Sequence, residues 1–255
     1  MKFGVADYGM NVWEGGCYDI TLRLEELRSI GLDGTERLEV CDAADAIYKA
    51  AAYRKMGMDF ATCRVAANQV GLGIEYTAAL GKEYVWLTPG PGGRDVDFDV
   101  FCRRANQFVK AAERFGLKAA LHNHLGSRIE SQQELEDFLK AVPGASLLLD
   151  VGHLAGAFGD NVEIIRKYYD RIVSVHFKDI FIKDASLGLD RWTERLRFCE
   201  LGAGNAGFDF AAAGDHYVHQ PNLPRFAVGQ AETALILNVL AELLDKLMAH
   251  ARQHR

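Results

Sequence analysis

Two features that would set this sequence apart from ordinary globular enzymes are missing from it. It has no apolar run of the roughly 20 residues that a membrane-spanning helix needs. It also has no CxxC pair, and its five cysteines are scattered and odd in number, which is typical of reduced thiols rather than of a disulfide framework. We therefore expect a cytoplasmic protein without a membrane partner. The cysteines are Cys17, Cys41, Cys63, Cys102 and Cys199.

Basic residues are fewer than acidic residues in this sequence. Lys and Arg number 29 against 35 Asp and Glu, so the formal net charge is −6 and the pI is near 5.8. Because non-specific nucleic-acid affinity comes mainly from basic side chains on phosphates, this balance argues against a nucleic-acid partner. No GxGxxG follows the first predicted strand, so a dinucleotide-binding fold is not favoured. Met1 to Asp7 is predicted to be a strand rather than a signal peptide.

What the sequence does contain is a regular alternation of helical and extended segments. Helical periodicity ends repeatedly at a glycine, as in Ile20 to Ile30 before Gly31. Asp19 is the predicted N-cap of that helix, and Ser131-Gln132-Gln133-Glu134 is a predicted capping box for another. With 255 residues and 49% hydrophobic content, the chain has the size of one α/β barrel. We expect one domain over residues 1–255.

Eight predicted strands alternate with these helices, which favours an α/β fold built as a single (β/α)8 TIM barrel over an open doubly wound sheet. The predicted strands are Phe3–Ala6, Thr35–Glu39, Phe60–Val65, Tyr84–Leu87, Lys118–Leu121, Ser146–Leu149, Ile172–Phe177 and Arg225–Val228. A last long helix is predicted from about Glu232 to His250. Functional side chains of such barrels lie at the C-terminal strand ends, so the residues after each strand are the first candidates for a site.

Histidines and carboxylates follow three of these strands. Imidazole nitrogens and carboxylate oxygens are ordinary ligands of divalent ions, and the strand ends should converge, so the pattern predicts a metal site. A carboxylate that ends the apolar strand Leu147 to Leu149 needs a partner, which singles out Asp150. Alternation places His176 and Lys178 on one side of their strand. The residues concerned are His122, His124, Asp150, His153, His176 and Lys178.

Other candidates follow from weaker patterns. Alternation predicts that one of His122 and His124 faces a metal and that the other lies toward the loop. Glu36 and Glu39 bracket the second strand, and one of them should point inward. The glycine-rich stretch that begins at Glu200, taken as the segment after the seventh strand, either presents backbone N–H groups to a substrate oxygen or forms a plain turn. The tryptophans, which either stack on a sugar ring or pack in the core, are Trp13, Trp86 and Trp192.

Several segments, in order along the chain, resemble the xylose-isomerase-like barrel superfamily of sugar phosphate isomerases and epimerases, and most of all its inosose dehydratase-like branch. They are Gly-Leu-Asp-Gly-Thr-Glu, His-Asn-His-Leu-Gly-Ser-Arg-Ile-Glu-Ser, Leu-Asp-Val-Gly-His, Asp-Arg-Ile-Val-Ser-Val-His-Phe-Lys-Asp and Leu-Gly-Ala-Gly-Asn. The resemblance implies that side chains from strands five to eight hold a divalent ion and that His153 lies beside the substrate. At the ligand positions this chain has His122, Asp150, His176 and, on strand eight, Gln230 or Glu232.

The resemblance and the strand-end pattern together predict a sugar or polyol isomerase, epimerase or dehydratase that depends on Mn, Zn, Co or Mg. Such an enzyme abstracts a proton next to a carbonyl and relies on the ion to stabilise the enediolate. We expect Glu36 or Lys178 to act as the base, with His153 and His124 positioning substrate hydroxyls. Further substrate contacts are expected from Glu200 and Trp13.

Gln230 leaves a second hypothesis open. Glutamine donates an oxygen to a metal but cannot shuttle a proton, so the two-glutamate mechanism of related epimerases is not expected here. A barrel that keeps its pocket without catalysis would serve as a sugar-binding or partner-binding protein. An apurinic-site endonuclease, from the same superfamily, is disfavoured by the negative charge. Both hypotheses are compatible with a homo-oligomer.

Overall fold

The structure is a computed structural model that describes residues 2–6, 19–90 and 92–207. The predicted strand Arg225–Val228 and the predicted last helix lie outside these residues. Among the described helices, none has both the length and the apolar character of a membrane-spanning segment. The described part contains parallel strands alternating with helices, which confirms the predicted α/β class.

The chain divides into two compact units, of which the first consists of Met1–Pro91 and Arg103–Ala120. Its elements are β1 (Gly4–Val5), α1 (Ile20–Ser29), β2 (Gly34–Glu39), α2 (Ala43–Lys55), β3 (Asp59–Arg64), α3 (Val70–Ala79), β4 (Tyr84–Trp86), the greater part of α4 (Phe98–Glu113) and most of β5 (Lys118–His122). β1 pairs in parallel with β2, β2 with β3, and β4 with β5. The bounds of all five strands agree with the prediction to within one residue at each end.

Apolar side chains from helices and strands form the core of the first unit. They come from α1, β2, α2 and β3 and include Leu24, Leu38, Tyr53 and Phe60. Tyr53 packs edge-on against Phe60 with 5.3 Å between ring centroids, and its hydroxyl lies 2.7 Å from the Thr35 hydroxyl. The buried tyrosine therefore keeps a hydrogen-bond partner for its polar end while its ring packs in the core.

The second unit consists of Gly92–Cys102 and Leu121–Arg255. Its further elements are α5 (Gln132–Ala141), β6 (Ser146–Asp150), α6 (Val151–Gly156), α7 (Asn161–Tyr168), β7 (Ile172–His176), β8 (Asp179–Ile182), α8 (Trp192–Arg195) and β9 (Leu196–Cys199). β6 and β7 are parallel, and Asp150 at the end of β6 lies opposite His176 at the end of β7. The pairing register therefore brings two of the predicted site residues side by side.

β8 and β9 form an antiparallel hairpin that the sequence analysis missed. The glycine-rich stretch was predicted to come after the seventh strand; the hairpin lies between them, so Glu200 follows β9. The signal was present, since Ile180 to Ile182 and Leu196 to Phe198 are short β-prone runs. They were overlooked because a strict β/α alternation leaves no place for an inserted hairpin.

The carboxylate of Asp179 holds the glycine-rich stretch in place. Asp179 is buried, and its Oδ2 accepts hydrogen bonds from the backbone N–H of Gly202 (2.9 Å) and Gly204 (3.0 Å). Its Oδ1 accepts one from Ala206 N (3.0 Å). The backbone N–H groups of these three residues are thus paired with a side chain of the protein. In this part of the stretch they favour the plain turn over a loop that presents its N–H groups to a substrate.

Glu134 ties the start of α5 to the segments before it. Ser131 and Glu134 form the predicted capping box. The Glu134 carboxylate also accepts hydrogen bonds from the guanidinium groups of Arg94 (2.7 Å) and Arg128 (2.6 Å). Burial alone would raise the pKa of Glu134, but Arg94 and the backbone N–H groups of Ser131 and Glu130 lower this pKa to about 2. The anion is therefore the form that stabilises the fold.

Replacing Glu134 by glutamine should lower the free energy of unfolding by about 1–3 kcal/mol at pH 7, because charge-assisted hydrogen bonds are lost. The folded-state pKa lies below the reference value of 4.5, so this contribution is complete above pH 4.5 and is lost as the pH falls toward 2. Urea denaturation at several pH values between 7 and 3 should show that the difference in free energy of unfolding between wild type and variant decreases as the pH falls. The exposed Glu113, replaced by glutamine, is the control. A gap that does not change with pH would contradict this assignment.

Candidate metal centre

The Asp150 carboxylate is the centre of a polar cluster in the second unit. Asp150 ends β6 after three fully buried leucines and is itself 0% exposed. Its Oδ1 accepts a hydrogen bond from the backbone N–H of His153 (2.8 Å), which makes Asp150 the N-cap of α6. Its Oδ2 is left to face other side chains. One carboxylate therefore both starts a helix and supplies the oxygen around which the cluster forms.

Four nitrogen atoms surround Asp150 Oδ2. His122 Nε2 and His176 Nδ1 each lie 3.4 Å from this oxygen. His153 Nδ1 lies 3.3 Å and Lys178 Nζ lies 3.0 Å from it. The structure thus brings together five of the predicted site residues. His176 and Lys178 reach the same oxygen, as strand alternation predicted.

Asn123 links the end of β5 to the end of β6. Its side-chain amide donates to the Asp150 backbone carbonyl (3.0 Å) and its side-chain oxygen accepts from the Asp150 backbone N–H (2.8 Å). Asn123 is 0% exposed, so both bonds are shielded from water. This residue was not among the predicted site residues, although its place between His122 and His124 was a usable signal. Its role is to hold His122 and Asp150 at a defined separation.

Gly152 allows α6 to approach the backbone of Lys178. A Cβ on Gly152 would lie 2.5 Å from the carbonyl oxygen of Lys178, so a larger residue does not fit without displacing one of the two segments. The close approach places His153, the next residue, beside the Lys178 side chain. His153 was predicted on a loop after β6, but it lies in the first turn of α6. The reason is that Asp150 is the N-cap of α6, so the helix begins directly after β6 without an intervening loop.

Burial and charge set the protonation states in the cluster. Burial lowers the pKa of His122 to about 4 and that of His153 to about 3. Burial alone would raise the pKa of Asp150, but hydrogen bonds from His122 and His176 and the positive charge of Lys178 lower it far below its usual value. At pH 7 His122 and His153 are therefore neutral and Asp150 is an anion. These are the protonation states in which imidazole and carboxylate bind metals.

The hydrogen bonds of His153 fix its tautomer. Its Nε2 lies 2.9 Å from Lys178 Nζ, and an ammonium group only donates. Its Nδ1 lies 3.2 Å from the carbonyl oxygen of Asn123, which only accepts. The proton is therefore on Nδ1, and Nε2 accepts a hydrogen bond from Lys178.

The separations in the cluster match those of ligands on one divalent ion. Two ligand atoms at about 2.1 Å from an ion, with about 90–110° between them, lie about 3.0–3.4 Å apart. The distances from Asp150 Oδ2 to His122 Nε2 and to His176 Nδ1 are both 3.4 Å. Ligand atoms of His122, Asp150 and His153 also lie within 4.8 Å of one another. Among the described residues, His122, Asp150 and His153 thus form a set that fits an ion, and His176 Nδ1 lies at the same distance from Asp150 Oδ2 as His122 Nε2 does.

The remaining predicted site residues lie elsewhere. His124 is exposed, its Nδ1 lies 2.7 Å from the Leu125 carbonyl oxygen, and its ring centroid is 4.0 Å from that of His153. Glu36 belongs to the first unit, where it is buried and accepts a hydrogen bond from Trp86 Nε1 (2.9 Å). Glu200 is exposed after β9. Trp13 and Gln230 lie outside the described residues.

Two comparisons of sequence relate this chain to known proteins. The sequence model of a family described as xylose isomerase-like TIM barrel matches residues 24–213. The inosose dehydratase of Lactiplantibacillus plantarum is 34% identical over 106 residues, which cover 41% of this chain and 33% of that enzyme. The inosose dehydratase of Salmonella agona is 27% identical over 157 residues, or 59% of this chain and 48% of that enzyme. The matched segments thus span between a third and a half of these relatives.

A solved structure extends the similarity of fold over nearly the whole chain. The xylose isomerase-like TIM barrel protein of Mycobacterium smegmatis, solved in complex with magnesium, matches with a TM-score of 0.57 and covers 97% of both chains. The sequence identity is 12%. At that identity the match concerns the fold alone.

Replacing Asp150 by asparagine should abolish stoichiometric binding of Mn or Zn, because a neutral amide replaces the central anion of the cluster. Elemental analysis after loading and dialysis should give about one ion per chain for wild type and none for the variant, with unchanged circular dichroism. The exposed Asp170, replaced by asparagine, is the matched control.

His176→Gln gives a second test that leaves the Asp150–Lys178 ion pair in place, and it should weaken metal binding about 10- to 100-fold. Metal contents equal to wild type in both Asp150→Asn and His176→Gln would rule out a metal centre at Asp150.

Proposed function

This chain belongs to the xylose isomerase-like TIM barrel family, and from that premise we propose that it is a divalent-metal-dependent isomerase, epimerase or dehydratase of a sugar or polyol. The observation that carries the proposal is the convergence of three imidazoles and one ammonium group on Asp150 Oδ2. The names of the matched relatives, both inosose dehydratases, support a substrate with a carbonyl beside hydroxyl groups.

His122, Asp150 and His176 are the residues that we assign to the ion, with Gln230 or Glu232 as the fourth ligand. His153 is the weaker choice, because its Nδ1 also contacts the Asn123 carbonyl and its Nε2 accepts from Lys178. Mixed nitrogen and oxygen donors are compatible with Mn, Zn, Co or Mg. When bound, the ion would polarise the substrate carbonyl and offset the negative charge that develops after proton removal.

Lys178 is the group to which we assign proton transfer with the substrate. Its side chain is one-third exposed, and its Nζ is held in place between two acceptors, Asp150 Oδ2 and His153 Nε2. An ammonium in this position can give up a proton to the substrate and, as the amine, take one from carbon. His153 Nε2 orients Lys178 by accepting its hydrogen bond. Glu36 is the alternative base, held by Trp86 in the first unit.

The chemistry after the first step decides between isomerisation, epimerisation and dehydration. Removing a proton next to a carbonyl gives an intermediate that either regains a proton or loses a hydroxyl from the neighbouring carbon. All three outcomes begin with the transfer of that proton to a base whose protons exchange with solvent, so each return of a proton to the intermediate brings deuterium onto that carbon. Solvent exchange is therefore the measurement that tests the proposal without assuming which product forms.

Metal-loaded protein in D2O should introduce deuterium next to the carbonyl of at least one compound from a panel of inososes, ketoses and their phosphates, as followed by NMR. Lys178→Gln should slow this exchange about 100-fold or more while metal binding is kept, because proton transfer by a positioned group contributes at least about that much. The exposed Lys140, replaced by glutamine, is the control.

Glu36→Gln separates the two candidate bases. If this variant loses exchange and Lys178→Gln does not, the base is Glu36 and the assignment of Lys178 is wrong. If wild type, fully loaded with metal, exchanges no compound of the panel, the proposed activity is wrong.

A further inference from the structure

Lys178 contacts the same carboxylate oxygen that we assign to the divalent ion. Its Nζ lies 3.0 Å from Asp150 Oδ2, closer than the three imidazole nitrogens around that oxygen, which lie at 3.3–3.4 Å. The Asp150 side chain is fully buried, so water screens the charges around it only weakly. A lysine and an ion on this site would therefore share one oxygen.

The ammonium group and an ion on that oxygen cannot be far apart. A carboxylate oxygen that binds zinc lies about 2.0–2.2 Å from the ion. Because Lys178 Nζ lies 3.0 Å from Asp150 Oδ2, the ion and Nζ are at most about 5 Å apart, whatever the angle at the oxygen. At that distance a double and a single positive charge repel each other strongly, even at an effective dielectric constant of about 20. In this position Lys178 therefore lowers the affinity of the site for a divalent ion.

The placement of Asp150 does not depend on Lys178. Its Oδ1 accepts a hydrogen bond from the backbone N–H of His153 (2.8 Å). Its own backbone N–H and C=O are both bonded to the Asn123 side chain, at 2.8 and 3.0 Å. These bonds fix the backbone of Asp150 and one of its two carboxylate oxygens. Removing the ammonium group should thus remove a competitor of the ion without displacing the ligand.

Lys178 has partners other than Asp150. Its Nζ lies 2.9 Å from His153 Nε2, which accepts a hydrogen bond, and 5.1 Å from the ring centroid of Phe198, within the range of a cation–π contact. We assign neither residue to the ion. The Lys178 side chain is also one-third exposed, so it is not confined to the buried carboxylate. An ammonium group that leaves Asp150 therefore keeps a hydrogen bond and an aromatic contact.

We propose that Lys178 competes with the divalent ion for Asp150 Oδ2, so that this lysine sets the metal affinity of the site and is released from Asp150 when an ion binds. The inference rests on the proposed function in taking Asp150 as a ligand of the ion. It adds that the lysine to which we assign proton transfer is held by His153 and Phe198 in the loaded protein. Metal binding and the position of the proton-transfer group are then linked.

Lys178→Met tests the competition, because it removes the charge and keeps an unbranched side chain. Calorimetric titration of the full chain with Zn²⁺ should give an affinity at least about tenfold higher for this variant than for wild type, since a positive charge near the ion is lost. Lys178→Gln, a second uncharged variant, should change the affinity in the same direction. Lys178→Arg keeps the charge and should bind Zn²⁺ more weakly than either. The exposed Lys183, replaced by methionine, is the control and should bind as wild type does.

The release of Lys178 has a spectroscopic readout that does not depend on activity. In NMR spectra of protein labelled with ¹³C at the lysine Cε atoms, the Lys178 signal is the one that is missing from Lys178→Met. Adding Zn²⁺ to wild type should shift this signal and leave that of Lys183 in place. All variants should keep the wild-type circular dichroism. A lysine that merely stabilised Asp150 would instead give weaker Zn²⁺ binding when it is replaced.

Zn²⁺ affinities of Lys178→Met and Lys178→Gln equal to or below that of wild type would overturn the competition while leaving the metal centre in place. A Lys178 signal that Zn²⁺ does not shift would also overturn it. Wild type that binds no Zn²⁺ would contradict the metal centre and the competition together. Tighter binding by both uncharged variants, with no deuterium exchange by loaded wild type, would contradict the proposed activity and leave the competition supported.

Discussion

The buried negative charge of Asp150 is the constraint on which the rest of the site depends. Removing a carboxylate from water costs several kcal/mol unless polar partners replace the water. Three histidine side chains, one lysine and one backbone N–H group are placed to do so, and they come from β5, α6, β7 and the segment after β7. The ends of these elements must therefore meet at Asp150 for the fold to tolerate its charge.

The two oxygens of the Asp150 carboxylate have different partners. Oδ1 caps α6 and so fixes the position of His153 along the chain, while Oδ2 is shared by side chains that are distant in sequence. Charge balance comes from Lys178, since the buried imidazole of His122 is neutral at pH 7. The carboxylate to which we assign the ion is thus also needed for the geometry of its neighbours, so the proposed role of Asp150 and its structural role involve the same side chain.

A second buried carboxylate, Asp179, organises the neighbouring hairpin in a different way. Its partners are backbone N–H groups rather than ionisable side chains, so it fixes the course of the chain after β9. Asp150 is the last residue of β6 and Asp179 is the first residue of β8, so both carboxylates lie at strand ends. The difference arises from the groups within 3.5 Å of each carboxylate, most of which belong to segments 23 to 28 residues away.

By itself, the sequence determined the α/β order, the bounds of β1 to β7 to within one residue, and five residues of the cluster, because hydrophobic periodicity and capping are local properties of the chain. Only the tertiary structure decided that β8 and β9 pair as a hairpin, that Asn123 couples two strand ends and that Phe198 borders the cluster. These depend on contacts between segments far apart in sequence, where the choice among several neighbours is made by packing and burial. Local propensity does not contain that information.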